Sequence, residues 1–172
     1  MGRLTTTVLT LLSALILQVA FGSAFTIVGV TPNILMVAVI IIAFVRGSTE
    51  GTIVGFIAGL AFDLIGATIV GPMALTLTLT GFVAGIIKEQ VFAGGWLLPV
   101  TVVGVASLIS EAIYLVLVTA LGLPVAFFPA LFTRVIPAAL YAAFIALILL
   151  PPVTKFLRLP LKVDPNTVKR VT

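Results

Sequence analysis

Three ionisable side chains fall inside long apolar stretches of this chain: Asp63, Glu111 and Arg134. A charge near the middle of a bilayer costs at least ~2.5–3.5 kcal/mol unless something compensates it. Two carboxylates and one guanidinium can form an ion pair, line a polar pocket, or meet a partner helix. Their depths can be compared from sequence position. Asp63 and Glu111 each lie about 15 residues into an outward-running apolar segment, and Arg134 about 7 residues into an inward-running one; at ~1.5 Å per residue all three lie roughly 10 Å below the same face. The expectation is that Arg134 pairs with Asp63, Glu111 or both inside a bundle. Whether such a cluster locks helices, holds a small ligand or contacts a partner stays open at this level.

Catalysis is a poor use of these groups. The chain has no Cys and no His, so thiol chemistry, disulfides, His-based metal sites and His general-base chemistry are absent. Asp63 sits in GLAFDLIG, not in the Gly-x-Gly-Asp context of intramembrane aspartyl proteases. No catalytic residue, metal site or cofactor is expected. A channel is also disfavoured, because no polar residue recurs along a helix.

A second pattern leads to Asp63. Gly47, Gly51, Gly55, Gly59 and Asp63 follow one another at intervals of four, which keeps them on one slowly drifting helix face. Such a bare groove lets another backbone approach closely in lipid. Gly81 and Gly85 repeat the spacing in the next apolar segment, and Gly104, Ser107 and Glu111 share a face further on. The stripe is expected to be the central packing seam of a bundle; docking of a helix from another protein is the alternative.

The elements that must position these residues are membrane helices. The chain is 62% hydrophobic and only 8% charged, which ordinary soluble domains are not. Six apolar stretches approach the ~20 residues of a span, at about 4–22, 32–46, 49–66, 71–88, 97–121 and 128–150. Turns are marked by Pro32-Asn33, Arg46-Gly47-Ser48, Gly71-Pro72, Gly94-Gly95 and Gly122-Leu123-Pro124, and Pro151-Pro152 is expected to stop the last helix. The fold class is therefore an all-α integral membrane protein, a compact bundle of six transmembrane helices over residues 1–152 with a basic tail at 153–172.

With a cytoplasmic N-terminus, Arg3, Arg46, Lys88, Lys155, Arg158, Lys162, Lys169 and Arg170 all lie inside, and only Arg134 of the 9 basic residues lies toward the other face. The positive-inside rule then puts both termini in the cytoplasm. The first segment, ending at Ala20-Phe21-Gly22, also resembles a signal peptide; cleavage would leave five spans with the later topology unchanged. Arg46 and Glu50, spaced i, i+4, are expected to pair at the inner interface, with Lys88, Glu89 and Trp96 as further anchors. The tail, with Pro160 and Pro165, is expected to lie against anionic lipid. No basic face is interleaved with stacking aromatics, so nucleic acid is not an expected partner.

The run TPNILMVAVIIIAFVRGSTEGTIVGFIAGLAFDLIGATIVGPMALTLTLTGFVAGIIKE, residues 31–89, resembles the core of the MreD family of rod shape-determining membrane proteins. The resemblance rests on Pro32-Asn33, the Arg46-Gly47 turn, Gly51, Gly55-Phe56, Gly59-Leu60, Asp63-Leu64 and Gly71-Pro72. Where many members carry Pro-Asp, this chain has Pro-Asn. The resemblance implies a non-enzymatic scaffold of the bacterial cell-elongation machinery in the cytoplasmic (inner) membrane. Its implied partner is MreC, a single-span protein with a periplasmic domain, and through it the RodA glycosyltransferase, the class B penicillin-binding transpeptidase and MreB filaments. The family's fold is similar to that of the substrate-binding subunits of energy-coupling factor vitamin transporters, which makes a small-molecule-binding transport subunit the alternative. The outer loops are short and uncharged, which favours protein contacts over a polar vitamin.

Overall fold

The computed structural model describes residues 2–21, 26, 30–66, 69–87 and 97–158. Lys88, Glu89, Trp96 and the tail beyond Arg158 lie outside the described residues. The described chain folds into helices throughout: α1 (Arg3–Phe21), α2 (Ile34–Arg46), α3 (Ser48–Gly66), α4 (Pro72–Ile86) and α5 (Leu97–Ala120). A last rod combines the short α6 (Phe127–Ala130), a π-helical turn (Leu131–Val135) and α7 (Ile136–Arg158).

These rods are not equivalent. Four helical stretches, Arg3–Ala20, Ser48–Gly66, Pro99–Ala120 and Phe127–Leu157, are long and apolar enough to cross a membrane. α2 and α4 are apolar but have only 13 and 15 residues. At ~1.5 Å per residue they measure about 20 and 22 Å, short of the ~30 Å of a hydrocarbon core. Among the described residues the six expected apolar helices are all present, four of them long and two short.

α2 occupies the centre. All 11 residues from Ile34 to Phe44 are buried, so this helix is apolar on every side because it has neighbours on every side. It packs against α1, α3, α4 and α7. Around it the most intimate pairings are α3 with α4 and α5 with α7. The outer faces of the surrounding helices carry large exposed apolar side chains, among them Ile16, Phe56, Phe82, Val105 and Leu140. Apolar side chains both inside and outside are what a bilayer-embedded bundle requires, since lipid tails solvate them as well as a core does.

The final helix does not stop at Pro151-Pro152. It continues to Arg158 with both prolines inside it. A proline in a helix interior costs roughly 3 kcal/mol through its missing N–H and its clash with the preceding turn. Here Leu157 is fully buried and Val153 packs on the core, so tertiary contacts hold the segment helical. Thr154 Oγ1 donates to the Leu150 carbonyl at 2.6 Å, one turn back in the same helix.

Candidate functional site

Short helices inside a bundle need their ends satisfied by side chains, because water does not reach them. The N-terminus of α2 is met from two directions. Gln18 Oε1, reaching across from α1, accepts the backbone N–H groups of Ile34 at 2.7 Å and Leu35 at 3.4 Å. Asn33 Oδ1 accepts from Met36 N at 3.0 Å in the usual N-cap manner. Its amide nitrogen then points the other way and donates to Glu111 Oε1 at 3.4 Å. An ionised aspartate at position 33 has no hydrogen to offer there.

α4 is capped in the same style. Its N-cap residue is Gly71, which has no side chain and sits at φ +123°, a conformation that favours glycine. Asp63 supplies the missing oxygen from α3: its Oδ2 accepts from Gly71 N at 2.8 Å and Ala74 N at 3.1 Å. The carboxylate also lies at the positive end of the α4 dipole. Asp63 is fully buried, and its Oδ1 has no hydrogen-bond partner among the described residues. The expected Arg134 pairing is therefore not the arrangement found; backbone donors hold Asp63 instead. Among the described residues the ion pair present is that of Arg46 with Glu50.

The glycines beside Asp63 form the α3–α4 crossing. A Cβ added to Gly51 would lie 2.5 Å from the Gly81 carbonyl oxygen, and one added to Gly59 would lie 2.5 Å from the Ala74 Cα. A Cβ on Gly55 would collide with the Leu77 carbonyl, and one on Gly81 with that of Gly51. The stripe on α3 is thus filled by α4 of the same chain. Gly47 is an exception: it closes the α2–α3 turn at φ +99° and lies outside the helix. Gly85 packs over that turn, against Gly47 and Ser48.

The other motif residues separate by role. Pro32 is buried at the start of α2. Arg46 is more than an interfacial anchor: its side chain is 5% exposed, donates from Nη2 to Thr6 Oγ1 at 2.8 Å and lies 3.9 Å from Glu50. It ties α1 to the α2–α3 turn. Phe56 is 50% exposed on the face of α3 opposite the glycines, with Ile53, Ile57 and Leu64 beside it. Leu60 is partly buried between these faces.

Glu111 and Arg134 come together around a cavity of about 250 Å3 at the end of the bundle where α2 begins. Its polar lining is Gln18, Thr31, Asn33, Glu111, Tyr114 and Arg134, with Phe62 and Met73 among the apolar walls. Arg134 rides on the π-helical turn and is exposed; Glu111 is partly buried. No ion pair within 4.0 Å joins them among the described residues. Gln18 and Tyr114 are the members that sequence reasoning overlooked. Both had a signal: Gln18 is a lone amide in an apolar run, and Tyr114 follows Glu111 by three residues, on the same face. A second, apolar groove runs between α4 and α5 past Val83, Ile87, Val105 and Ile109. Close to it a buried Thr80–Ser110 hydroxyl bond of 2.6 Å joins the two helices.

The arrangement contains no nucleophile–base pair, and no group of His, Cys, Asp and Glu that could hold a metal occurs among the described residues. No individual curated protein and no solved structure matches the chain. A family model described as rod shape-determining protein MreD matches residues 1–160. With nearly the whole helical bundle inside that match, the chain belongs to the MreD family, a structural family of the rod-shape machinery.

Proposed function

We propose that this protein is a multi-pass, non-enzymatic scaffold of the cell-elongation machinery in the bacterial cytoplasmic membrane, with both termini in the cytoplasm. Its direct partner is MreC, whose single span lies against the bundle. RodA, the class B penicillin-binding transpeptidase and MreB connect through that complex, and the basic tail rests on anionic lipid. The family match carries this reading. The closed glycine seam adds a constraint: α4 fills the groove on α3, so a partner helix must use an outer face.

The outer face of α3 is our choice. Phe56 belongs to the motif that marks the family resemblance, yet it is half exposed and packs no core. A membrane partner helix that buries this ring gains contact area at little ordering cost. The test is co-purification of MreC with the wild-type chain and with Phe56→Ala and Leu140→Ala, the latter on the exposed face of α7. Phe56→Ala should cut MreC recovery about tenfold, as befits a hot-spot aromatic, with unchanged elution of the bundle alone. Equal recovery with all three chains removes α3 as the docking face, and absence of MreC from the wild-type preparation removes the scaffold reading.

The transport alternative draws on the cavity at the start of α2. Its volume of about 250 Å3 lies below the ~300–1,000 Å3 of pockets for drug-sized ligands, so a vitamin is a poor fit.

A further inference from the structure

The cavity at the start of α2 is lined by two ionisable side chains of opposite sign that make no direct ion pair among the described residues. Glu111, on α5, has one long hydrogen bond among the described residues, 3.4 Å from the Asn33 amide. Arg134, on the π-helical turn, makes no hydrogen bond or ion pair to the described residues. Both line the same space of about 250 Å3, yet they stay more than 4.0 Å apart. Glu111 is partly buried, and a charge withdrawn from water is costly without a counter-charge. Direct pairing would be the simplest remedy, and the fold does not adopt it.

The backbone that carries Arg134 is itself unusual. From Leu131 to Val135 the chain makes a π-helical turn, with the Ile136 N–H bonded to the Leu131 carbonyl. Pro137 follows and has no N–H to return to the Thr133 carbonyl, which removes one competing α-helical bond. Such a turn inserts one residue and shifts the register of everything before it, and π turns of this kind concentrate at functional sites. Here the shifted turn bears the one cation that lines the cavity among the described residues.

We propose that this cavity binds a small zwitterionic group, with its anionic end on Arg134 and its ammonium end on Glu111. A neutral solute leaves both charges unmet. A simple anion answers Arg134 but repels Glu111, and a simple cation does the reverse. A group bearing both signs a few bonds apart satisfies the two together, and the hydroxyls of Thr31 and Tyr114 and the Gln18 side chain line the same space. The volume corresponds to roughly eight waters' share of liquid, which suits a headgroup or an amino acid. Two sources share this chemistry: the phosphoethanolamine headgroup of a membrane lipid, entering beside the exposed Arg134, and a free amino-acid-like solute.

The experiment reconstitutes the full chain in nanodiscs of equal phosphatidylethanolamine and phosphatidylglycerol, releases it in mild detergent, and weighs retained lipid by native mass spectrometry. A parallel arm measures melting in lipid-free detergent with added phosphoethanolamine, glycine or inorganic phosphate. Retention of phosphatidylethanolamine about tenfold over phosphatidylglycerol, as a charge-assisted contact gives, identifies the lipid source. A melting increase with phosphoethanolamine or glycine, without lipid preference, identifies the soluble source. Either preference should vanish in Arg134→Gln and Glu111→Gln and persist in Arg134→Lys, with size exclusion confirming that each variant is folded. The wild-type comparison stands even if a variant does not fold. No preference between the two lipids together with no zwitterion-dependent melting overturns the proposal. So does a response to inorganic phosphate equal to that of phosphoethanolamine, which would reduce the site to an anion site.

Discussion

Asp63 shows how one side chain can be recognised as important and still be assigned the wrong partner. A buried carboxylate in an apolar segment needs compensation, and Arg134 is the nearest candidate when only depth is considered. The fold provides two backbone N–H groups instead, at 2.8 and 3.1 Å, both to the same oxygen. The capping role makes a sharp forecast. Asp63→Ala strands two backbone donors, one of them buried, and should cost about 1–3 kcal/mol. Asp63→Asn keeps one acceptor oxygen in the same place and sheds a buried charge, so its loss should stay within about 1 kcal/mol. Melting of the purified variants separates these. The charge-reversed pair, Asp63→Arg with Arg134→Asp, should melt no higher than the worse single variant. Recovery of stability in that double variant would reinstate the ion pair. Gln18 teaches the complementary lesson: an amide with no partner in its own segment turned out to cap a helix beginning 16 residues later.

At the scale of elements, helix length explains why polar groups occur in the apolar segments at all. α2 and α4 are the short helices of the bundle, and their first N–H groups take acceptors from α1 and α3. The α3–α4 seam then holds the second short helix against a long one. Its glycines differ in what a methyl group would meet. Gly51→Ala, Gly55→Ala and Gly59→Ala each force a Cβ into backbone atoms of α4 and should lower stability by about 1–3 kcal/mol, the range of overpacked cores. Gly66→Ala meets no atom within 4 Å and should leave stability unchanged or slightly higher. Thermal melting, or the yield of monodisperse protein, reads the contrast. A uniform response across the four positions would mean that the α3–α4 contact is not the seam. The π turn ahead of α7 belongs to the same scale, since Pro137 acts on the helix as a whole by deleting one rung of its ladder.

For the whole molecule, orientation decides which surface faces which partner. The absence of cysteine gives a clean measurement. Single substitutions at exposed positions, Val70→Cys and Leu121→Cys at one end of the bundle and Thr49→Cys and Lys155→Cys at the other, leave the packed interior untouched. With both termini in the cytoplasm, a membrane-impermeant maleimide should label the first two in intact spheroplasts and the second two only after permeabilisation. The reverse pattern would invert the topology and move the Glu111–Arg134 cavity to the cytoplasmic side. Docking on α3 and ligand entry near Arg134 are separate features of this architecture, so variants at Phe56 and at Arg134 should affect partner recovery and zwitterion binding independently.

Composition and periodicity by themselves determined the helical class of this protein, the number of its apolar helices, and the face of α3 that carries the glycines. These properties follow from local chemistry: apolar segment length sets what can cross a bilayer, and a four-residue spacing sets a helix face. The residues 31–89 were also enough to reveal the family resemblance that the match over residues 1–160 establishes. What only the tertiary structure decided is which groups meet. That α2 is central and enclosed, that Gln18 and Asp63 cap helices other than their own, that the last helix runs through two prolines, and that Glu111 and Arg134 face a shared cavity without touching all depend on contacts between distant segments. Depth along a helix is a one-dimensional coordinate, and it brought three charges to one level. Rotation about each helix axis and the order of helices around α2 then separated Asp63 from the other two.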